Sequence, residues 1–197
     1  MTVNLGPVFV TIDAKIPANP RSDGYGYNPR CLRRDVNDYF TKNAISSTDI
    51  ANHINANTDL GKFQDTLQAD TTKKFSPHTA GHYSIWGKIK PTGQCFGSKL
   101  NISLGDPGGD FYVSPAEPAF WLHHGMIDRH WWVWQNQDPK TRTQQYTGVT
   151  QWMVPNSPKG KITDINYLDV VTPAGMGGQP SSALVSSLAG PFCYVYA

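Results

Sequence analysis

Leu60, Phe63 and Leu67 recur at helical spacing through an otherwise polar segment, and this pattern predicts a helix over Leu60–Ala69. Ser46 and Ser47 are cap residues for a helix running to about Asn55, and Ser76-Pro77 places a cap before a proline at the first turn of a helix that Gly87 can end. A shorter helix is predicted over Cys31–Phe40. The strongest pattern begins at Pro118: Phe120, His124, Ile127, Trp131 and Trp134 follow one another at i, i+4, i+7, i+11 and i+14, a single stripe on a helix reaching about Asn136. Pro7–Ile12 reads as a short strand, followed by a Gly/Pro/Asn-rich loop to Pro29. Gly105–Gly109 is a loop, the chain is turn-rich after Pro139, and Thr172–Ser182 is expected to be a mobile loop. No internal repeat is visible.

Composition narrows the class. The 197 residues suffice for one domain with its own core, or two small ones, and 12% aromatic residues with only 16% charged ones argue against a disordered chain. A net charge of +2 without a basic run offers nothing to nucleic acid, and no apolar stretch is long enough to span a membrane. Met1–Val10 lacks the basic head and apolar core of a secretory signal. Cys31, Cys95 and Cys193 are too scattered for a zinc ribbon or a thioredoxin-type pair. One disulfide with one free thiol and three reduced buried thiols both fit. Asn101-Ile102-Ser103 is a glycosylation sequon. The expected location is extracellular, with the cytoplasm as the alternative.

The chemistry lies in the histidines, six in all, five of them in two segments. His78 and His82 are four residues apart, so on a helix both rings leave one face and can share a metal ion; otherwise one caps the helix or both face solvent. In the second segment His123 and His124 differ by about 100° in direction, so only one of them readily joins a given site. His124 lies on the apolar stripe, where an imidazole needs a partner: a backbone carbonyl, or a metal shared with His78 and His82. Three imidazoles suit copper, zinc or nickel, and no H-E-x-x-H spacing supports a zinc protease. His123, His130 and Asp128 are available to orient the ligands, although Asp128 and Arg129 also suit an ordinary ion pair. Trp131, Trp132 and Trp134 read as packing residues.

The run Ser114–Arg129, with Trp134-Gln135 beyond it, resembles the second copper-binding motif of the tyrosinase and catechol oxidase family, whose pattern is D-P-x-F-x-x-H-H-x-x-x-D-R preceded by H-x-x-x-H. Asn28–Asp35 and Gly190–Tyr196 are similar to fungal members. The resemblance implies a mainly α fold, part of a four-helix bundle with long loops and short strands. It implies that His78, His82 and His124, the second histidine of the pair, hold one copper ion of a dinuclear type-3 centre. It further implies oxidation of o-diphenols to o-quinones by dioxygen. A non-catalytic copper-binding or oxygen-carrying module is the alternative. A mononuclear hydrolase would need a base from Asp106 or Asp110.

Three departures qualify this resemblance. Only His53 precedes His78, so the other copper must be held by histidines of another chain or segment. The resemblance thus implies the C-terminal half of a copper domain: lead-in over 1–70, copper helices over 76–136 and a loop-rich segment over 137–197. Glu117 stands where the family has Asp, and Thr79 stands where tyrosinases often carry an Asn that orients a water to deprotonate the phenol. Thr79 therefore favours diphenol oxidation over monophenol hydroxylation. Phe111 is either a lid over the copper or a packed side chain. With half of the bundle elsewhere, Phe120, Ile127 and Trp134 are expected to be exposed, a surface for tight pairing with the segment that carries the first copper.

Overall fold

The computed structural model describes residues 20–23, 26–27, 36, 38–68, 76–85, 88–89, 95–96, 114–151, 154–167 and 177–197. These residues are mainly helical: α1 (Asp38–Asn43), α2 (Ser47–Ala56), α3 (Leu60–Gln68), α4 (Pro77–Ile85), α5 (Pro118–Gln137) and α6 (Pro139–Arg142). Short strands pair as two antiparallel ribbons, β1 (Lys88–Ile89) with β2 (Cys95–Phe96) and β3 (Ile165–Tyr167) with β4 (Gly178–Pro180).

The helices begin where side chains can satisfy their first N–H groups. At α2, the Asp49 N–H donates to Ser46 Oγ (3.2 Å) and the Ser46 N–H donates back to Asp49 Oδ2 (3.1 Å), so two otherwise orphaned donors are answered reciprocally. At α3 the Lys62 N–H donates to Asp59 Oδ1, and Leu60, Phe63 and Leu67 are buried at the expected spacing. The start of α4 differs from expectation. The Ser76 carbonyl accepts the Ala80 N–H, but the Ser76 hydroxyl turns to Thr79 Oγ1 instead of a backbone N–H. Helix α5 opens at Pro118 with Glu117 Oε1 accepting the Ala119 N–H, an acidic group at the positive end of the helix.

The chain divides into two compact units: Met1–Ala51 with Leu67–Ile127, and Asn52–Thr66 with Asp128–Ala197. In the first, α1 packs on α4. Phe40, Ala44 and Ala80 are buried together, and the Phe40 ring lies nearly parallel to that of Tyr83, centroids 5.5 Å apart. This contact fixes α4 between the two histidines it carries. In the second unit, Trp134 is fully buried against Phe63, centroids 4.7 Å apart. Its Nε1–H donates to the Asn57 carbonyl, and the Arg142 guanidinium lies over its ring while donating to its carbonyl.

Several expectations are corrected. Of the helix predicted over Cys31–Phe40, Asp38–Phe40 lie in α1, which continues to Asn43 and is closed by the Ala44 N–H on the Phe40 carbonyl, while residues 31–35 and 37 lie outside the described residues. Pro139 opens a helical turn, α6, because the Asp138 carboxylate accepts the Thr141 N–H. Of the segment 172–182 read as a mobile loop, only 177–182 is described: it forms β4 and opens a 3₁₀ turn (Ser181–Ala183), where the Ser181 and Ser182 N–H groups donate to the Asp164 and Ile162 carbonyls. Trp134 is not exposed, since its own chain supplies Phe63, Asn57 and Arg142; Phe120 and Ile127 are half-buried. The exposed apolar side chains of α5 are instead Trp121 (59%), Leu122 (77%) and Met126 (58%). The Asp128 carboxylate accepts the Tyr194 and Tyr196 hydroxyls in place of an ion pair with Arg129. Among the described residues, no helix is long and apolar enough to cross a membrane. Cys193 carries a free, exposed thiol. The strand predicted at Pro7–Ile12, together with Cys31, Asn101, Phe111 and the 105–109 loop, lies outside the described residues.

Candidate metal centre

Helices α4 and α5 bring four imidazoles together in the first unit. His78 Nε2 stands 3.2 Å from His124 Nε2 and 3.2 Å from His82 Nε2. The i, i+4 spacing on α4 aims two rings the same way, and the stripe on α5 delivers the third. The His124 Nδ1–H donates to the Phe120 carbonyl one turn earlier (2.8 Å), which fixes the tautomer and leaves the Nε2 lone pair toward His78. Phe120 stacks on the His124 ring with centroids 3.8 Å apart and forms an aromatic wall beside His82.

His123 offers a second combination, because ring nitrogens of His78, His82 and His123 all lie within 4.8 Å of one another. His124 stands outside that group and is tied to it through His78, whose Nε2 lies 3.2 Å from the Nε2 atoms of both His82 and His124. Moreover, His123 Nε2 donates to the His78 carbonyl (2.9 Å), so its ring is engaged with the backbone of α4.

The residues fit a metal ion on two counts. With imidazole–metal bonds of about 2.0–2.1 Å, nitrogens 3.2 Å apart subtend an angle of roughly 100° at a common ion, within the range of a four-coordinate site. Hydrogen bonding alone cannot satisfy the cluster, because a neutral His78 has one N–H and its buried Nδ1 has no partner. With the proton on Nε2 it can donate to only one of its two neighbours; with the proton on Nδ1 it donates to neither, and its Nε2 lone pair is available to a cation.

The electrostatics point the same way. Burial, reinforced by His123 and His124, holds His78 down at about 4. Burial and then the charges of His123, His78 and His124 hold His82 at about 3. His123 is held at about 4 by burial, with the His78 carbonyl opposing and His124 reinforcing the shift. These rings are neutral at physiological pH, the protonation state in which imidazole binds metals.

Thr79 lies beside the cluster but faces away from it in its bonding. Its hydroxyl donates to the Gln68 carbonyl (2.5 Å) and accepts from Ser76 Oγ (3.3 Å). His130 is not part of this cluster. It pairs with His53 in the second unit, Nε2 to Nδ1 at 3.0 Å, with His53 Nε2 also 3.0 Å from Thr66 Oγ1. No motif joins residues 77 positions apart, so that pairing had no local signal in the sequence.

Comparison with known proteins agrees with the motif. A family model described as the common central domain of tyrosinase matches residues 1–137. The chain is 31% identical over 198 residues to Tyrosinase P of Aspergillus terreus, an alignment covering 98% of this chain and 48% of that protein. It is 34% identical over 149 residues to the tyrosinase-like protein orsC of Emericella nidulans, covering 75% of this chain and 34% of orsC. Similarity also extends to the N-acetyl-6-hydroxytryptophan oxidase ivoB of Emericella nidulans, at 27% over 98% of this chain and 49% of ivoB. The chain thus spans half or less of the length of these relatives.

Proposed function

This chain belongs to the tyrosinase family, and we propose that it supplies the second copper site of an oxidase that converts o-diphenols to o-quinones. The observation that carries this reading is that His78 Nε2 lies 3.2 Å from the Nε2 atoms of both His82 and His124. These three residues are the ligands. Bound copper supplies the one-electron redox steps by which dioxygen is reduced to water as the phenol is oxidised. The chain's own contribution is positional: three half-buried imidazoles, the His124 tautomer set by the Phe120 carbonyl, and the Phe120 ring as an aromatic wall against which a phenol can stack.

The bonding of Thr79 supports diphenol over monophenol chemistry. With its one hydroxyl proton given to Gln68, it has no donor left to direct a water toward a phenol. The name of ivoB, an oxidase of a hydroxylated tryptophan, supports a substrate class that includes hydroxylated aromatic rings other than simple catechols. The first copper comes from a chain or segment carrying the remaining helices. The exposed Trp121, Leu122 and Met126 of α5 support such a covering partner.

Elemental analysis of the full 197-residue chain after copper loading and dialysis tests the site. The expected result is one copper per chain, falling to background in His78→Ala, His82→Ala and His124→Ala. Full copper retention in any of the three variants overturns the ligand assignment. Catechol turnover after the partner is added tests the activity, and its absence at full copper loading favours the oxygen-carrying alternative.

A further inference from the structure

His123 differs from its three neighbours in what its ring touches. Its Nε2–H donates to the His78 carbonyl at 2.9 Å, a second bond to an oxygen already inside helix α4. One turn further along α4, a Cβ built on Gly81 would stand 2.0 Å from His123 Cε1, 2.4 Å from Nδ1 and 2.6 Å from Nε2. The corner of the ring between its two nitrogens therefore rests against the bare α-carbon of Gly81. The flat of the ring lies nearly parallel to that of His78, centroids 5.4 Å apart with an interplanar angle of 16°. His123 thus touches the turn of α4 at the carbonyl of one candidate ligand, at its ring, and at the residue preceding the other candidate ligand.

Resting on the ligand reading above, we propose that His123 is a positioning residue: a strut from α5 that sets the height of the His78–His82 turn so that both rings reach the same point as His124. Gly81 is the seat that permits it. Any side chain at 81 would push the ring away, because the clashing atoms belong to a rigid, half-buried imidazole and not to the far end of a flexible chain. The tautomer follows from the carbonyl bond. The proton sits on Nε2, and the edge of the ring that carries Cε1 and Nδ1 lies against Gly81. The adjacent histidines divide the labour because consecutive residues on a helix point about 100° apart.

Titration of copper-free full-length chain with Cu(II), against a competing chelator, tests the strut, and the nitrogen hyperfine pattern of bound Cu(II) reports the number of ligands. His123→Ala and Gly81→Ala are expected to weaken Cu(II) binding by about 10- to 100-fold, the usual effect of removing a group that orients metal ligands. The hyperfine pattern should still show three nitrogens in both. His123→Gln, whose amide N–H can reach the same carbonyl, should recover most of the affinity. Gly125→Ala, on a position where an added Cβ meets nothing within 4 Å, should bind as the unmodified chain does. Unaltered affinity in Gly81→Ala and His123→Ala overturns the strut, and so does loss of one coordinated nitrogen in His123→Gln, which would make His123 a ligand. Should His123→Ala fail to fold, the His123→Gln spectrum and the Gly81→Ala affinity still decide. If instead His124→Ala keeps three nitrogens and full affinity, the ligand reading fails separately from the strut.

Discussion

His53 and His130 hold ring nitrogens 3.0 Å apart, and the direction of the bond between them can be worked out from a threonine. The Thr66 hydroxyl donates its single proton to the Lys62 carbonyl at 2.6 Å, so toward His53 Nε2 it accepts. His53 then carries its proton on Nε2 and offers the Nδ1 lone pair to the His130 Nε2–H. The chain His130, His53, Thr66, Lys62 carbonyl is directed from end to end, and a second proton on His53 would remove the acceptor that His130 needs.

This arrangement makes folding stability depend on acid. Burial first, and then the neighbouring charge of His53, lowers His130 from 6.5 to about 4. The folded state therefore binds fewer protons than the unfolded one between those values. The stability this neutral form contributes is present above pH 6.5 and lost as pH falls toward about 4. His78, His82 and His123 act in the same direction. The expected observation is that the melting temperature of the copper-free chain falls across this window, and falls less steeply in His130→Gln. Equal slopes for the two proteins would remove the pair from the account.

Among the described residues Trp134 is the largest fully buried side chain, and it touches groups from three parts of the second unit: Phe63, the Asn57 carbonyl and Arg142. Truncation to Ala removes the ring and leaves a cavity, for an expected loss of about 3–5 kcal/mol. Trp134→Phe keeps most of the apolar contact but strands the Asn57 carbonyl, for about 1–3 kcal/mol. Urea denaturation of the copper-free chain measures both. A loss below about 1 kcal/mol for Trp134→Ala would mean that the unit is held elsewhere.

How far these features could be foreseen follows the range of the signal. Helices α2 to α5 were legible because their signals are local: the cap residues Ser46 and Ser47, the Leu60, Phe63 and Leu67 spacing, and prolines at the first turns of α4 and α5. The approach of His78, His82 and His124 was legible because spacing and stripe each aim the rings. His53 with His130 was not, since 77 positions of chain separate them. Trp134 was misjudged for a related reason: its stripe shows that it must be covered, but not that Asn57, Phe63 and Arg142 of the same chain do the covering. Strand β4 was hidden because Gly178–Pro180 has no alternation of its own and is defined only by pairing with Ile165–Tyr167.

Asp128 binds the end of the chain to helix α5 through two phenols, with Oδ2 at 2.7 Å from the Tyr194 hydroxyl and 2.5 Å from that of Tyr196. Ionising either phenol would set a second negative charge beside the carboxylate. Burial first, and then Asp128, accordingly pushes Tyr196 up to about 12 and Tyr194 further still. In Asp128→Asn the hydrogen-bond acceptor remains but the charge is gone. Both phenols should then ionise nearer the ordinary value of 10.0, without reaching it because the burial persists. Alkaline titration of tyrosinate absorbance follows this directly, and an unchanged profile would show that the carboxylate does not govern these groups.

Trp121, Leu122 and Met126 lie on α5 at i, i+1 and i+5, so they share one flank of the helix, and all three are more than half exposed. The Trp121 ring is not free to fold away, since its Nε1–H is held by the Pro115 carbonyl at 3.0 Å. A fixed indole beside two flexible apolar chains is the kind of surface that binds an apolar dye in solution and a partner helix in an assembly. Leu122→Lys and Met126→Lys place charge on that flank without touching a buried contact. Each should leave the stability of the chain within about 0.5 kcal/mol while dye fluorescence drops, and in the double variant recruitment of the partner segment should fail. The two readouts separate the possibilities: a fall in melting temperature would mean that the flank is packed within this chain, whereas dye binding that survives both lysines would locate the sticky surface somewhere other than α5.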